Sequence, residues 1–309
     1  MRTTAGCLFM GKKKYSKPRL DIEKQVQLLE QQGLKIDDAP EACRILSVVG
    51  YYRFSGYLHP FKLPHKDNTR RTFKPNITFN YIWNLYQFDR ELRLLVSDAI
   101  EKIEVAFRAS ISDVTSKEYG LFWYTDNKFY RNPSQHLSLM RKIDGLLKKP
   151  EEVFLQHYLE KYHDPKYPPI WMIIEALSFG TCSKLFSNIQ SISIRNKISS
   201  IFEQHTTIIE SWMKVIVWIR NICAHHSRLW NRWLVEAPII PKNEPLHEYL
   251  FNHNRKFIVC AYLFENLLRT IVPNNHWKNH LFNLFEKYSQ YPGGTMGFNQ
   301  EWKSDPFWR

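Results

Sequence analysis

Apolar positions recur along this 309-residue chain at spacings of three and four, the mark of amphipathic helices packed face to face. The clearest run covers about 80–116, where Leu85, Phe88, Leu92, Leu95, Val96, Ala99, Ile100, Ile103, Ala106 and Phe107 draw one stripe down a long helix. The same period predicts shorter helices at about 21–33, 38–49, 134–148, 151–162, 169–178, 181–189, 193–203, 206–230 and 253–271. Punctuation agrees with these spans: Asp21 suits an N-cap, Gly33 and Gly50 suit helix ends, and the prolines of "DPKYPPIW" interrupt the chain. Gly180, inside "ALSFGTCSKLF", reads as a break between two helical segments. No period-two alternation and no internal repeat stands out, so the expected class is mainly α.

Four regions follow from the same reading. Residues 1–19 form a basic arm, expected to be disordered: residues 1–20 hold six Lys or Arg and no acid. Residues 20–78 form an N-terminal helical subdomain. Its loop, "KLPHKDNTRRTFKPNITF", sets five basic residues against Asp67 and is expected to be exposed or a short hairpin. Residues 79–275 make the main helical bundle, and residues 276–309 a tail. That tail carries Phe298, Trp302, Phe307 and Trp308, too aromatic for a disordered segment, so it is expected to pack on the body. On the long helix, Arg90, Arg93, Glu101, Glu104 and Arg108 gather on a second face. It reads as solvated, with Glu104 and Arg108 spaced to pair.

Charge narrows the partners. The formal net charge is +13 and the isoelectric point about 9.4, which favours a polyanion, either nucleic acid or an anionic membrane surface. No run of eighteen apolar residues exists, so nothing is expected to span a bilayer, the N-terminus has the wrong order for a signal peptide, and no membrane partner is expected. The cysteines (Cys7, Cys43, Cys182, Cys223 and Cys260) are scattered without a CxxC pair. They read as reduced thiols in a cytoplasmic protein with no structural zinc.

The densest chemistry lies at "IRNICAHHSRLWNRW", where an apolar helical run delivers Arg220, Asn221, His225, His226, Arg228, Asn231 and Arg232. On a wheel advancing about 100° per residue, Trp212, Val215, Ile216, Ile219, Ile222, Cys223 and Trp230 form the buried stripe. His226 falls inside that stripe as a core histidine. Lys214, Asn221, His225 and Arg228 share a polar face. Adjacent histidines diverge around a helix and no acid completes a ligand set, so no metal and no cofactor are expected. The wheel alone leaves His225 open to a plain surface role. Its company suggests more: a histidine exchanges protons near neutrality, and a guanidinium fork matches phosphate oxygens. Together they suit phosphodiester chemistry on RNA, with the ribose 2′-OH as internal nucleophile. Arg220 and His225 diverge around the axis, so they converge only if Arg220 reaches round or a second copy of the helix faces the first.

"RNICAH", with four residues between Arg and His, resembles the R-x4-6-H motif of the HEPN superfamily. The longer "RNICAHHSRLWNR" is similar to the signature of bacterial abortive-infection proteins of the AbiD/AbiF type. So are "VGYYRFSGYLHPF", "LYQFDRELRLLVSDAIEKIEVAFRA", "PPIWMIIEALSFGTCSKLF" and "GFNQEWKSDPFW", which carry the resemblance from about Met10 to the C-terminus. The resemblance implies a HEPN-like helical bundle with an N-terminal helical extension and a packed tail. It also implies a homodimer with a composite cleft, and a metal-independent endoribonuclease leaving 2′,3′-cyclic phosphate and 5′-hydroxyl ends in phage defence. Arg220 and His225 would be the catalytic pair, with Asn221 tuning them. His226, Asn231 and Glu104 would support the site, Glu104 by bracing an arginine unless it only pairs with Arg108. RNA contacts are expected from Arg228, Lys214, Arg232, Lys12, Lys13, Lys14, Arg70, Arg71 and Lys74. Two alternatives stand beside catalysis: a non-catalytic protein holding a structured small RNA, and a toxin held inactive by such an RNA. Relatives begin near "MGKKKYSKP", so Met10 is expected as the natural start, with residues 1–9 an extra disordered leader.

Overall fold

A computed structural model of the chain describes residues 18–63, 72–244, 246–291 and 293–309. Thirteen α-helices and a few single 3-10 turns account for the regular structure among the described residues, so the mainly α reading holds. Most of the basic arm, the leader before Met10 and residues 64–71 of the basic loop, with Lys12, Lys13, Lys14, Arg70 and Arg71, lie outside the described residues.

The chain divides into two compact units, the first ending at Tyr86 and the second running Gln87–Arg309. In the first, α1 (Ile22–Gln31), α2 (Ala39–Val49) and α3 (Tyr51–Leu58) bury Val26, Leu29, Leu46, Phe54 and Leu58. Asp38 caps α2 by accepting the Glu41 N–H at 2.8 Å, the side-chain capping typical of helix N-termini. Gly50 both ends α2 and opens α3. Its φ of 80° turns the chain there without the steric cost a Cβ would bring. Helix α3 is an element the periodicity did not announce. The flanks of the basic loop meet through an antiparallel bridge between Lys62 and Phe73, and Lys74 stands exposed beside it.

Helix α4 (Phe79–Tyr119) spans 41 residues, leaving the first unit and entering the second. Its stripe is buried as the period requires, from Phe88 through Leu92, Val96, Ala99, Ile103 and Phe107. The second unit continues with α5 (Pro133–Lys148), α6 (Val153–Lys161), α7 (Ile170–Ala176), α8 (Phe179–Asn188), α9 (Ile192–Ser200), α10 (Thr206–Ala224), α11 (His247–Asn252), α12 (Phe257–Ile271) and α13 (Trp277–Lys287). Helix α12 is buried on every side from Phe257 to Glu265, as expected of a helix apolar all round. Helix α10 packs on α8, α9 and α12. Phe107 of α4 meets Phe179, Phe186 and Phe202 edge-on or tilted, with centroids 5.3–6.2 Å apart. Truncating such a residue costs about 3–5 kcal/mol.

Gly180 proves not to be a break. The chain turns at Leu177–Ser178, where Ser178 caps α8 on the Thr181 N–H, and Gly180 lies within the helix. A Cβ there would sit 3.3 Å from Val217 Cγ1, so the missing side chain lets α8 approach α10 closely. In the last segment, Trp302 and Trp308 are buried. Gly297 adopts φ 93°, and a Cβ on it would lie 2.6 Å from Ile258, so only glycine fits against α12. Trp277 Nε1 donates to the Leu95 carbonyl at 2.9 Å, fixing α13 to α4. No helix among the described residues is long and apolar enough to cross a membrane.

Candidate functional site

The motif straddles a helix end. Helix α10 stops at Ala224, six residues short of the span the periodicity suggested. His225 is the C-cap. His226 follows with φ 52°, its N–H donating to Cys223 O at 3.0 Å while Ser227 N–H donates to Ile222 O at 2.9 Å. These two bonds are a Schellman motif with histidine at the left-handed position usually held by glycine. Wheel arithmetic fails beyond Ala224 for that reason. His226 is exposed and is not a core histidine, because the chain has left the helix before its side chain can turn inward. His225, Asn221 and Arg220 are exposed as well, grouped on the last turn and its cap. Cys223 is buried between them, and burial pushes its thiol up to about 11, which marks it as packing rather than nucleophile.

Two carboxylates of α4 meet the motif, one at the loop after α10 and one at its last turn. Asp89 is fully buried. Its oxygens accept the Leu229 N–H at 3.1 and 3.2 Å and the Trp230 N–H at 2.6 Å, and it pairs with Arg93 one turn along. The loop after α10 therefore spends its backbone donors on a buried anion. That choice leaves Leu229 and Trp230 inside, while Asn231 turns the chain again at φ 51°. Glu104, half-buried, pairs with Arg108, and its other oxygen stands 3.9 Å from Arg220 Nε. Arg108 in turn donates to the carbonyls of Ile174 and Glu175, so the bracket reaches the end of α7. Glu104 thus pairs with Arg108 and also stands within ion-pair distance of Arg220.

Arg93 and Arg108 are correspondingly buried, against the solvated-face expectation. Each is drawn in by a carboxylate four residues earlier. Asp89 and Arg93 were missed as site-shaping residues. The available signal was an acid within the apolar stripe, four residues after Leu85 and four before an arginine.

Arg220 lines a small cleft of about 280 Å³ with Ser97, Glu101, Glu104, Val105 and Ala224. Its side chain is 45% exposed, so Arg220 is open to solvent despite the Glu104 contact. The other cations of the motif lie on aromatic faces: Arg228 at 6.0 Å from the Trp230 ring, Arg232 at 5.3 Å from the Trp218 ring. Cation–π contact holds both near the cap. Lys214, three turns earlier on α10, belongs instead to a second groove with Arg131 and Lys184. Lys74 belongs to the first unit. Among the described residues, no group of three or more His, Cys, Asp or Glu side chains is placed to hold a metal ion.

Arg220 offers a fixed, accessible cation and His225 a titratable ring at the end of the same helix, with a buried clasp fixing the loop beyond them. No curated protein and no solved structure matches the chain. Residues 44–231, which include α4, α10 and the motif as far as Asn231, match the family profile described as Abi-like protein. The chain therefore belongs to the Abi-like family of abortive-infection proteins.

Proposed function

We propose that this Abi-like protein is a HEPN-type, metal-independent endoribonuclease and that RNA cleavage is how it serves abortive infection. Arg220 and His225 form the working pair. The ribose 2′-OH attacks the adjacent phosphorus and the 5′-oxygen leaves, giving a 2′,3′-cyclic phosphate and a 5′-hydroxyl. His225 moves the proton, since imidazole both accepts and donates near neutral pH. Arg220 meets the charge that builds on the phosphoryl oxygens, a role its fork suits better than a lysine would. Asn221 orients one or both. Two protomers meeting across the end of α10 would bring each Arg220 toward the partner copy of this helix, making the cleft composite.

The observation that carries this reading is the exposed Arg220, held at the rim by Glu104, one turn before an exposed His225 cap. The test is incubation of purified protein with end-labelled RNA, with end-group analysis of any products. Arg220→Ala and His225→Ala should each lower cleavage at least 100-fold while circular dichroism stays unchanged, and EDTA should have no effect. Wild-type rates in both variants would overturn the assignment. The Arg228 and Arg232 stacks favour a second reading, an RNA-holding protein, or a toxin silenced by the RNA it holds. In that case labelled RNA would shift in mobility without shortening.

A further inference from the structure

A groove of about 680 Å³ lies between α5, α8 and α10. Four cations from separate elements converge on it: Arg131 just before α5, Lys142 on α5, Lys184 on α8 and Lys214 on α10. All four are exposed. Lys142 spends one donor on Thr181 Oγ1 at 3.1 Å, and an ammonium has three. The acid in the groove, Glu210, is bound to Arg195 and stands 3.9 Å from Arg131, so its charge is largely answered. Gln135 and Ser138 supply neutral polar groups along the wall.

The groove does not end blindly. Lys214, Trp218 and Asn221 follow one another at intervals of four and three, which puts them on one stripe of α10 that leads to the His225 cap. Lys214, Asn221 and His225 are exposed and Trp218 is half-buried, with Arg232 across its ring. At 1.5 Å of rise per residue, the stripe runs about 16 Å from the groove to the cap. It therefore offers cations for phosphates, then an aromatic–guanidinium pair against which bases stack, then the histidine.

We propose that this groove and stripe are the track on which single-stranded RNA lies, entering at Lys142 and Lys184 and reaching His225 past Trp218. The proposal rests on the ribonuclease reading but adds a binding surface distant from the reacting pair. It predicts that substrate length matters, because a short oligomer spans the cap without reaching the groove.

The test uses the full chain carrying His225→Ala, so that binding is read without cleavage, and a fluorescein-labelled unstructured RNA 12-mer followed by anisotropy. Adding Lys142→Glu and Lys184→Glu should raise Kd at least tenfold and flatten the slope of log Kd against log salt. Lys184→Arg should bind as the parent does. A control pair of exposed lysines elsewhere, Lys117→Glu with Lys161→Glu, should change Kd less than twofold. Thermal melts report whether each variant folds. Unchanged binding in the groove pair, or an equal loss in the control pair, overturns the track. An equal effect on duplex RNA of the same length also overturns it, making the groove a general polyanion surface. The ribonuclease reading fails separately: the 12-mer would then stay intact with the unsubstituted protein, whatever the groove variants do to binding.

Discussion

Helix α4 carries two arginine–carboxylate pairs with the same spacing, Asp89–Arg93 and Glu104–Arg108, and they do different jobs. What separates them is the third partner. Asp89 turns its remaining acceptor capacity on backbone N–H groups of Leu229 and Trp230, in a place no water reaches. Glu104 turns its spare oxygen on a side chain, Arg220, at a cleft open to solvent. A carboxylate committed to backbone shapes a loop. One committed to an exposed guanidinium aims it. The same two-residue pattern in the sequence thus gives a structural clasp in one turn and a positioning contact four turns later, and burial decides which.

That contrast breaks most visibly at Asp89. Asp89→Ala leaves Arg93 charged and buried without its partner and strips two loop amides of their acceptor. We expect a loss of about 3–5 kcal/mol in urea unfolding. At Glu104 the same logic predicts a change in activity rather than fold. Glu104→Gln should lower RNA cleavage about tenfold, equivalent to roughly 1.4 kcal/mol of barrier. Its melting temperature should fall far less than that of Asp89→Ala, because the Gln amide oxygen still accepts from buried Arg108, which also donates to the Ile174 and Glu175 carbonyls, and Arg220 is exposed. If Glu104→Gln unfolds the protein while Asp89→Ala only silences it, the two roles have been assigned the wrong way round. The smallest effect belongs to His226. His226→Gly should cost no stability and gain up to about 1 kcal/mol, because glycine takes the left-handed conformation without strain. A loss above 2 kcal/mol would return His226 to the core.

Much of this was legible in the residues. The stripe of α10 through Trp212, Val215, Ile216, Ile219, Ile222 and Cys223 is buried as its period requires. Helix α4 was legible for the same reason. The end of α10 was not, because no glycine or proline marks it. A histidine fills the left-handed position, and the exit is enforced by a carboxylate 140 residues away. Helix α13 went unread because its apolar positions, Trp277, Leu281, Leu284 and Phe285, lie close beside turn-rich sequence. Gly180 was misread because a glycine inside a helix and a glycine between helices look alike until the neighbouring helix is known. Long-range partners, rather than local propensity, account for the end of α10 and for Gly180.

The Asp89 clasp also orders events in time. Its two ends lie 140 and 141 residues apart, and contacts across so long a loop form late, once the chain between them has been organised. During synthesis α4 emerges well before the motif it will grip. The loop beyond His225 therefore takes its shape only as the second unit closes, so competence should appear together with the complete fold and not on a growing fragment.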